Sequence, residues 1–562
     1  MEKRWQIAKS ISPEAEKNLE KYPALLRQVL FNRGLADQQS AMDFLAALSP
    51  ESDPFQMKGM GAAVDRLASA IKHGEAIVVY GDYDADGVSA TALLSHSLEA
   101  FGANVRAYIP DRFDEGYGLN RAALIELAEQ GAKVVVTVDC GIRAIPEAEE
   151  ALRLGLELII TDHHSIGPEL PPATAIINSK LPGDEYPNKN LAGVGTAYLL
   201  VCALASELKP SHWTNEHLLD LLTLGTIADL VPLVGENRTL VRKGLGYLRR
   251  PHRQGLMSLM GIAGLTPAKI SASDVGFMLG PRVNAAGRMG SSMDAYQLLV
   301  TQDVFEAGKL AQELDNRNRE RQRITLEMAQ SAEELAGAED ENKLLISAFH
   351  SDYNPGIVGL VASRLSERYH RPAIVGEQGE EFTRASCRSI PEFHITDALQ
   401  SCAELFENFG GHAAAAGFTI RNDRLNEALE RLNGRAQKEL GGLELRPTLQ
   451  ADAEVALADL KPDLLHQLEL LEPTGYGNPQ PQFVSRKLGV RSSRTVGSDA
   501  SHLKLSVTDG WVTFDAIAFR QGHWANDMPK EIDLLYNFEV NEFNGKRTLQ
   551  LNVRDIKASA GN

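Results

Sequence analysis

Cysteine is scarce in this chain, basic charge is outnumbered, and long apolar runs are missing. The four cysteines, Cys140, Cys202, Cys387 and Cys402, are scattered through 562 residues with no CxxC pair. That spacing argues against a disulfide framework or a structural zinc site and fits a reduced, cytoplasmic protein. Lysine and arginine total 57 against 75 acids, a formal net charge of −18. The whole chain is therefore no basic nucleic-acid binder, although local basic grooves and metal-bound phosphates can operate inside an acidic protein. No apolar run approaches the roughly 20 residues of a membrane span. Met1-Glu2-Lys3-Arg4-Trp5 opens onto polar, helical sequence with no signal peptide, so no membrane role is expected. Internal repeats and low-complexity tracts are absent as well.

What the chain does have is 43% hydrophobic residues, enough to bury a core in each of about three or four domains. Residues 1–50 read as an N-terminal helical cap, with Leu25, Leu26, Val29 and Leu30 on one side. Over 51–300, β-branched runs alternate with helical segments, which implies a parallel sheet covered on both faces. Five strands are expected, at 77–80, 105–109, 133–138, 156–161 and 175–178. A long charged helix over 301–338 should connect to a second, smaller α/β lobe at 339–442. From 447 to 562 short strands dominate, and Asn544-Gly545 is a hairpin signal. That region reads as a small all-β barrel of the OB type, a fold that often binds single strands. Phe514, Phe519, Phe538 and Phe543 are placed mostly in its core. The fold class is thus α/β multidomain: a parallel-sheet lobe and a smaller α/β lobe joined by a long helix, plus an OB-like barrel.

The chemistry concentrates at strand ends. The first strand runs into Asp82-Tyr83-Asp84-Ala85-Asp86-Gly87, the third into Asp139-Cys140-Gly141 and the fourth into Asp162-His163-His164. In a parallel sheet these carboxyl ends share one edge, where such folds place their ligands. Acids this close repel one another unless a cation neutralises them. Each group alone also reads as an ordinary turn; their recurrence at one edge is what favours a metal site. Asp229 ends an apolar helix over 218–228 and needs a partner, either a metal or a basic side chain.

Further along, Gly280-Pro281-Arg282-Val283-Asn284-Ala285-Ala286-Gly287-Arg288 reads as a loop of arginines among small residues. It is either a phosphate-approaching surface or merely solvated. In Gly410-Gly411-His412, followed by four alanines, small residues let a backbone approach a ligand and His412 is placed to meet a phosphate. A packed turn and helix start is the plainer reading.

An oxygen-rich ligand set with one or two imidazoles suits Mn²⁺ or Mg²⁺. The acids exceed what one divalent ion needs. Two ions about 3.5–4 Å apart would use the set fully and point to phosphoester hydrolysis by an activated water.

These motifs resemble the DHH phosphoesterase superfamily, named for its Asp-His-His run. Gly410-Gly411-His412 with Ala415-Ala416-Gly417 resembles the associated DHHA1 domain. The whole arrangement, including Asp111-Arg112-Phe113-Asp114-Glu115-Gly116-Tyr117-Gly118-Leu119 and the C-terminal barrel, is similar to the RecJ family across about residues 20–555. The resemblance implies a 5′→3′ exonuclease releasing 5′-mononucleotides from single-stranded DNA in recombination and repair. It implies two divalent ions held by Asp84, Asp86, Asp139, His163 and Asp229, with His164 orienting ligands or touching the scissile phosphate. Arg288, Ser386 and Arg388 would hold the 5′ end and His412 a backbone phosphate, with Arg282, Asn284 and Gly411 completing the substrate set. Smaller superfamily members carry a histidine where this chain has Tyr80, so Asp82 would supply the missing ligand. A monomer working beside a RecQ-type helicase and a single-strand-binding protein is the implied setting. A phosphodiesterase for short oligonucleotides or cyclic dinucleotides competes, but the barrel favours a longer polymer. A non-catalytic DNA-binding scaffold would predict missing ligands, and none is missing.

Overall fold

Runs of valine and isoleucine become the five strands that position the site. A computed structural model of the chain describes residues 2–49, 52–340, 342–497, 499–543 and 545–559. Strands Ala76–Tyr80, Asn104–Tyr108, Val134–Val138, Glu157–Thr161 and Ala175–Ile177 form one sheet. The first lies between the second and third, followed by the fourth and fifth, and every pairing is parallel. All five residues of Val134–Val138 are buried, as expected where helices cover both faces. Helices Ala85–Ala100 and Gly193–Leu208 are buried over most of their surface and pack on each other, and Leu219–Ala228 packs against both.

The 33-residue helix Val304–Ala336 leads to the second lobe. There Ile346–His350 pairs in parallel with Ala373–Gln378, and the sheet continues antiparallel through Phe382–Arg388, Ala415–Arg421 and Phe406–Gly411. The Phe409–Gly417 stretch is therefore a β-hairpin, not a turn and helix start.

Gly280–Gly290 is not a loop either. Gly280–Met289 is a helix, entered through a π-helical turn at Val275–Leu279. Pro281 sits in its first turn, where no backbone donor is required. The small residues allow close packing: a Cβ on Gly287 would lie 2.8 Å from the carbonyl oxygen of Tyr83.

Both lobes and the connecting helix belong to one compact unit, 52–231 with 243–446. A second unit joins 2–51, 232–242 and 447–562. The expected N-terminal cap is thus part of the barrel's unit, and it begins with a strand, Arg4–Ile7, paired in parallel with Thr448–Ala451. Leu19, Leu26, Val29 and Leu30 share a core with barrel residues Phe483, Leu503, Tyr536 and Leu551. Arg238, only 1% exposed, donates to the carbonyls of Phe44, Leu470, Leu471 and Pro473. Strands Phe483–Val496, His502–Thr508, Thr513–Ala518, Lys546–Ala558 and Glu531–Phe543 close through pairing of the first with the last.

Phe514 and Phe538 meet edge to face in that core, while Phe519 is half exposed. Asn544 of the expected hairpin turn lies outside the described residues, as does the side chain of Phe543. Among the described residues no helix is long and apolar enough to cross a membrane.

Candidate metal centre

The carboxyl edge of the parallel sheet gathers the acids from four segments. Asp84 caps the helix Ala85–Ala100, one oxygen accepting from the backbone N–H groups of Asp86 and Gly87 at 2.8 and 3.1 Å. Asp86 lies two residues on, in the first turn of that helix, 1% exposed and accepting from Gly193 N and Val194 N at 2.6 and 2.9 Å. Both donors belong to the first turn of Gly193–Leu208, so one buried carboxylate caps that helix while facing the site.

Asp139 follows the third strand in the left-handed region, at φ 63°. A non-glycine residue held there signals a constraint imposed by its surroundings. His163 Nε2 lies 3.0 Å from Asp139 Oδ1, 3.6 Å from Asp229 Oδ2 and 3.9 Å from Asp86 Oδ2. Three overlapping groups, Asp82/Asp84/Asp139, Asp86/His163/Asp229 and Asp139/His163/His164, each bring their ligand atoms within 4.8 Å of one another.

The glycines nearby are spatial necessities. A Cβ on Gly193 would sit 2.5 Å from Cβ of Asp139, and one on Gly225 would sit 2.7 Å from Oδ1 of Asp86.

The electrostatics describe a site built for a cation it must receive from outside. Burial, reinforced by Asp84, lifts Asp82 well above the usual carboxylate range and brings Asp86 to about 7. Burial with Asp86 and Asp84 lifts Asp139 strongly, and the same causes take Asp229 to about 9. His163 falls to about 3 through burial and the neighbouring His164. Asp82 Oδ1, Asp139 Oδ1 and His163 Nε2 are buried without a hydrogen-bond partner. Unsatisfied buried acceptors are costly, and a divalent cation would satisfy all three. The donor set, five carboxylates and an imidazole, matches Mn²⁺ or Mg²⁺.

Asp162 has another task. It is 1% exposed and accepts from the backbone N–H of Ile142, His163 and His164 and from His164 Nδ1 at 2.8 Å. Burial works against its charge, but His164 and these donors outweigh it and hold Asp162 low while raising His164. Asp162 is therefore the residue that orients His164. The Asp-His-His run already contained it. The Tyr80 hydroxyl donates to the carbonyl oxygen of Gly118 at 3.1 Å and is not among the grouped ligand atoms.

The expected substrate residues divide. Ser386 and Arg388 lie on one strand, and a Cβ on Gly359, in the first turn of Val358–Tyr369, would be 3.4 Å from Ser386 Oγ and from Arg388 Nη2. Arg288 donates to Gly356 O at 2.9 Å, beside that helix start. Arg112, missed as a contact although it stands in the 111–119 motif, lies over the Tyr83 ring at 4.7 Å. Arg282 is spent elsewhere: it pairs with buried Asp315 at 2.9 Å and donates to Met278 O. Asn284 Oδ1 accepts from Ala85 N at 2.8 Å, which makes it a support for the Asp84 cap. Gly411, at φ 150°, holds the tight hairpin that presents exposed His412.

Comparison with known proteins agrees with this geometry. The DHH family N-terminal domain matches residues 76–226, the DHHA1 domain 341–438 and the RecJ OB domain 451–555. The single-stranded-DNA-specific exonuclease RecJ of Bacillus subtilis is 38% identical over 99% of this chain and 71% of its own. That of Dickeya dadantii is 36% identical over 97% of this chain and 98% of its own. The crystal structure of Thermus thermophilus RecJ with Mn²⁺ superposes with a TM-score of 0.85 at 30% identity, covering 99% of this chain and 80% of that one. The same relative has also been solved with Mg²⁺, at 28% identity and a TM-score of 0.79 over 99% of this chain and 79% of that one. The chain belongs to the RecJ family of DHH phosphoesterases.

Proposed function

We propose that this protein is a Mn²⁺- or Mg²⁺-dependent 5′→3′ exonuclease that releases 5′-mononucleotides from single-stranded DNA in recombination and repair. The observation that carries the reading is the convergence of Asp82, Asp84, Asp86, Asp139, His163 and Asp229, with three buried ligand atoms unsatisfied. Two divalent ions bound there would supply a water nucleophile at neutral pH and offset the charge that develops on the phosphate oxygens.

The chain's own residues do the rest. Asp162 accepts from His164 Nδ1, fixes the ring in direction and favours its imidazolium form, in which the other ring nitrogen also carries a proton and can donate to a phosphate oxygen. Arg288, Ser386 and Arg388 surround the first turn of Val358–Tyr369, where backbone N–H groups and cationic donors suit a 5′-terminal phosphate. His412 reaches the cleft beside His164 from the second lobe and serves a backbone phosphate, and Gly411 shapes the hairpin that presents it. Asn284 keeps the Asp84 cap in place, and Arg282 braces the connector helix.

Single strands must be supplied, and a RecQ-type helicase and a single-strand-binding protein are the partners proposed for that role. The four free cysteines fit the reducing cytoplasm, where the protein is proposed to work as a monomer. Digestion of 5′- and 3′-labelled single- and double-stranded oligonucleotides with Mn²⁺ or Mg²⁺ tests the proposal. Mononucleotides should leave the 5′ end of single strands only, and an Asp84→Ala, Asp139→Ala variant should release none. Release from the 3′ end, or retained activity in the variant, overturns it.

A further inference from the structure

A cleft of about 430 Å³ opens beside His164. It is lined by Tyr117, Leu119, Ile142 and Ala144 and by Arg143 and His412. The carboxylates Glu147 and Asp162 also line it, the latter held by His164 and backbone donors. Its size suits a nucleotide, and its lining is what such a ligand asks for: apolar surface for a base, cationic donors for a phosphate.

The construction is rigid. Ile142 N donates to Asp162 Oδ2 at 2.9 Å, so the carboxylate that fixes His164 also fixes this wall. Gly141 stands at φ 107°, and a Cβ there would press on Thr137 and Ile160. Arg143 is exposed, and its Nε donates to Ser165 O at 2.8 Å. That bond anchors the guanidinium by one edge and leaves its two Nη groups for a ligand. Among the described residues Arg143 has no carboxylate within ion-pair distance, although most arginines around the site are engaged. His412 approaches from the opposite lobe on its tight hairpin.

The row Tyr83, Tyr117 and His164, with ring centroids 6.2 and 6.0 Å apart, runs along the ligand cluster from the neighbour of Asp84 to the cleft. Arg288 stands near Asp84 and Tyr83, at the other end of that row, so a strand whose 5′ end is held there and which follows the row reaches this cleft.

We infer that the cleft is the subsite for the second nucleotide of the strand. Its base lies against Leu119 and Ile142, and Arg143 together with His412 grips the phosphate that links nucleotides two and three. The inference rests on the nuclease reading above and adds a contact beyond the scissile bond, with Arg143 as its main determinant. It also assigns the minimal well-bound substrate: a strand of three nucleotides, since a dinucleotide lacks that phosphate.

The test uses the full-length enzyme with Mn²⁺ and 5′-phosphorylated single strands in which one phosphate at a time is a neutral methylphosphonate. First-nucleotide release is measured for wild type, Arg143→Ala and Arg143→Lys. In wild type, neutralising the linkage between nucleotides two and three should lower kcat/KM about tenfold, as expected for one lost charge-assisted contact. Arg143→Ala should show that loss on the unmodified strand and no further loss on the modified one. Arg143→Lys should recover much of it, and Mn²⁺ affinity should be the same in all three. If the arginine and methylphosphonate effects multiply independently, or if the sensitive linkage lies elsewhere, the subsite assignment is wrong although the nuclease reading stands. If wild type releases no nucleotide from the unmodified strand, it is the nuclease reading that fails.

Discussion

At the scale of single residues the site is a set of charges that cannot all exist without a cation. Asp229 shows the consequence for stability. Its carboxyl is raised from an ordinary 3.8 to about 9 in the folded, metal-free protein, by burial and then by Asp86 and Asp84. Between those values the folded state holds a proton that the unfolded state has released, so this contribution is complete below about pH 4 and is lost as pH rises through 9. In the presence of a chelator, Asp229→Asn should therefore gain on wild type as pH goes from 5 to 9 in urea unfolding. A constant difference across that range would contradict the raised value.

Gly193 is the second residue-scale case. Gly193→Ala places a methyl against Asp139 and disturbs the N–H that holds Asp86. The chain should still fold, and Mn²⁺ affinity measured by calorimetry should fall about 10–100-fold, the usual cost of disturbing a ligand's support.

At the scale of elements, what was legible in the sequence follows from what physics makes local. The five parallel strands were legible because strands buried on both faces read as unbroken apolar runs. The candidate ligands were legible because they stand directly at those strands' ends, as Asp139 and His163 do. The helix Gly280–Met289 was not, because its glycines and proline argue for a loop, and only packing against Tyr83 explains them. That error also misplaced Arg282, whose partner Asp315 lies 33 residues away on the connector helix. The hairpin that presents His412 was missed for a similar reason: alanines favour helix locally, and the neighbouring strand Phe382–Arg388 overrides them.

The Arg282–Asp315 pair gives a prediction at this scale. Asp315 is fully buried and also pairs with Arg319. Asp315→Ala leaves the Arg282 guanidinium uncompensated and should cost about 3–5 kcal/mol in urea unfolding. Adding Arg282→Met should recover most of that loss.

At the scale of the whole molecule, the first fifty residues were the least legible part. A pairing between Arg4–Ile7 and Thr448–Ala451 spans more than four hundred residues, and no local signal announces it. Amphipathic leucines in the first helices predicted burial but not the partner, which is the barrel's own core. The segment is accordingly no dispensable cap. Leu19, Leu26 and Leu30 are at most 1% exposed, and burying three such side chains contributes on the order of 5 kcal/mol. That is comparable to the net stability of a small domain. Removing residues 2–49 should abolish the barrel's thermal transition while the unit carrying the metal centre still binds Mn²⁺. Survival of both transitions would show that the barrel folds without it.

The central claim is that these carboxylates exist to receive divalent cations. Near neutral pH the apo site keeps protons on Asp86 and Asp229, and a cation must displace them. Mn²⁺ titration by calorimetry at pH 7, in buffers of different ionisation enthalpy, measures that release directly. The account predicts saturable binding with on the order of one proton or more released per protein, falling as pH approaches 9, and no such binding in Asp139→Ala. Binding without proton release, or undiminished binding in Asp139→Ala, would contradict it.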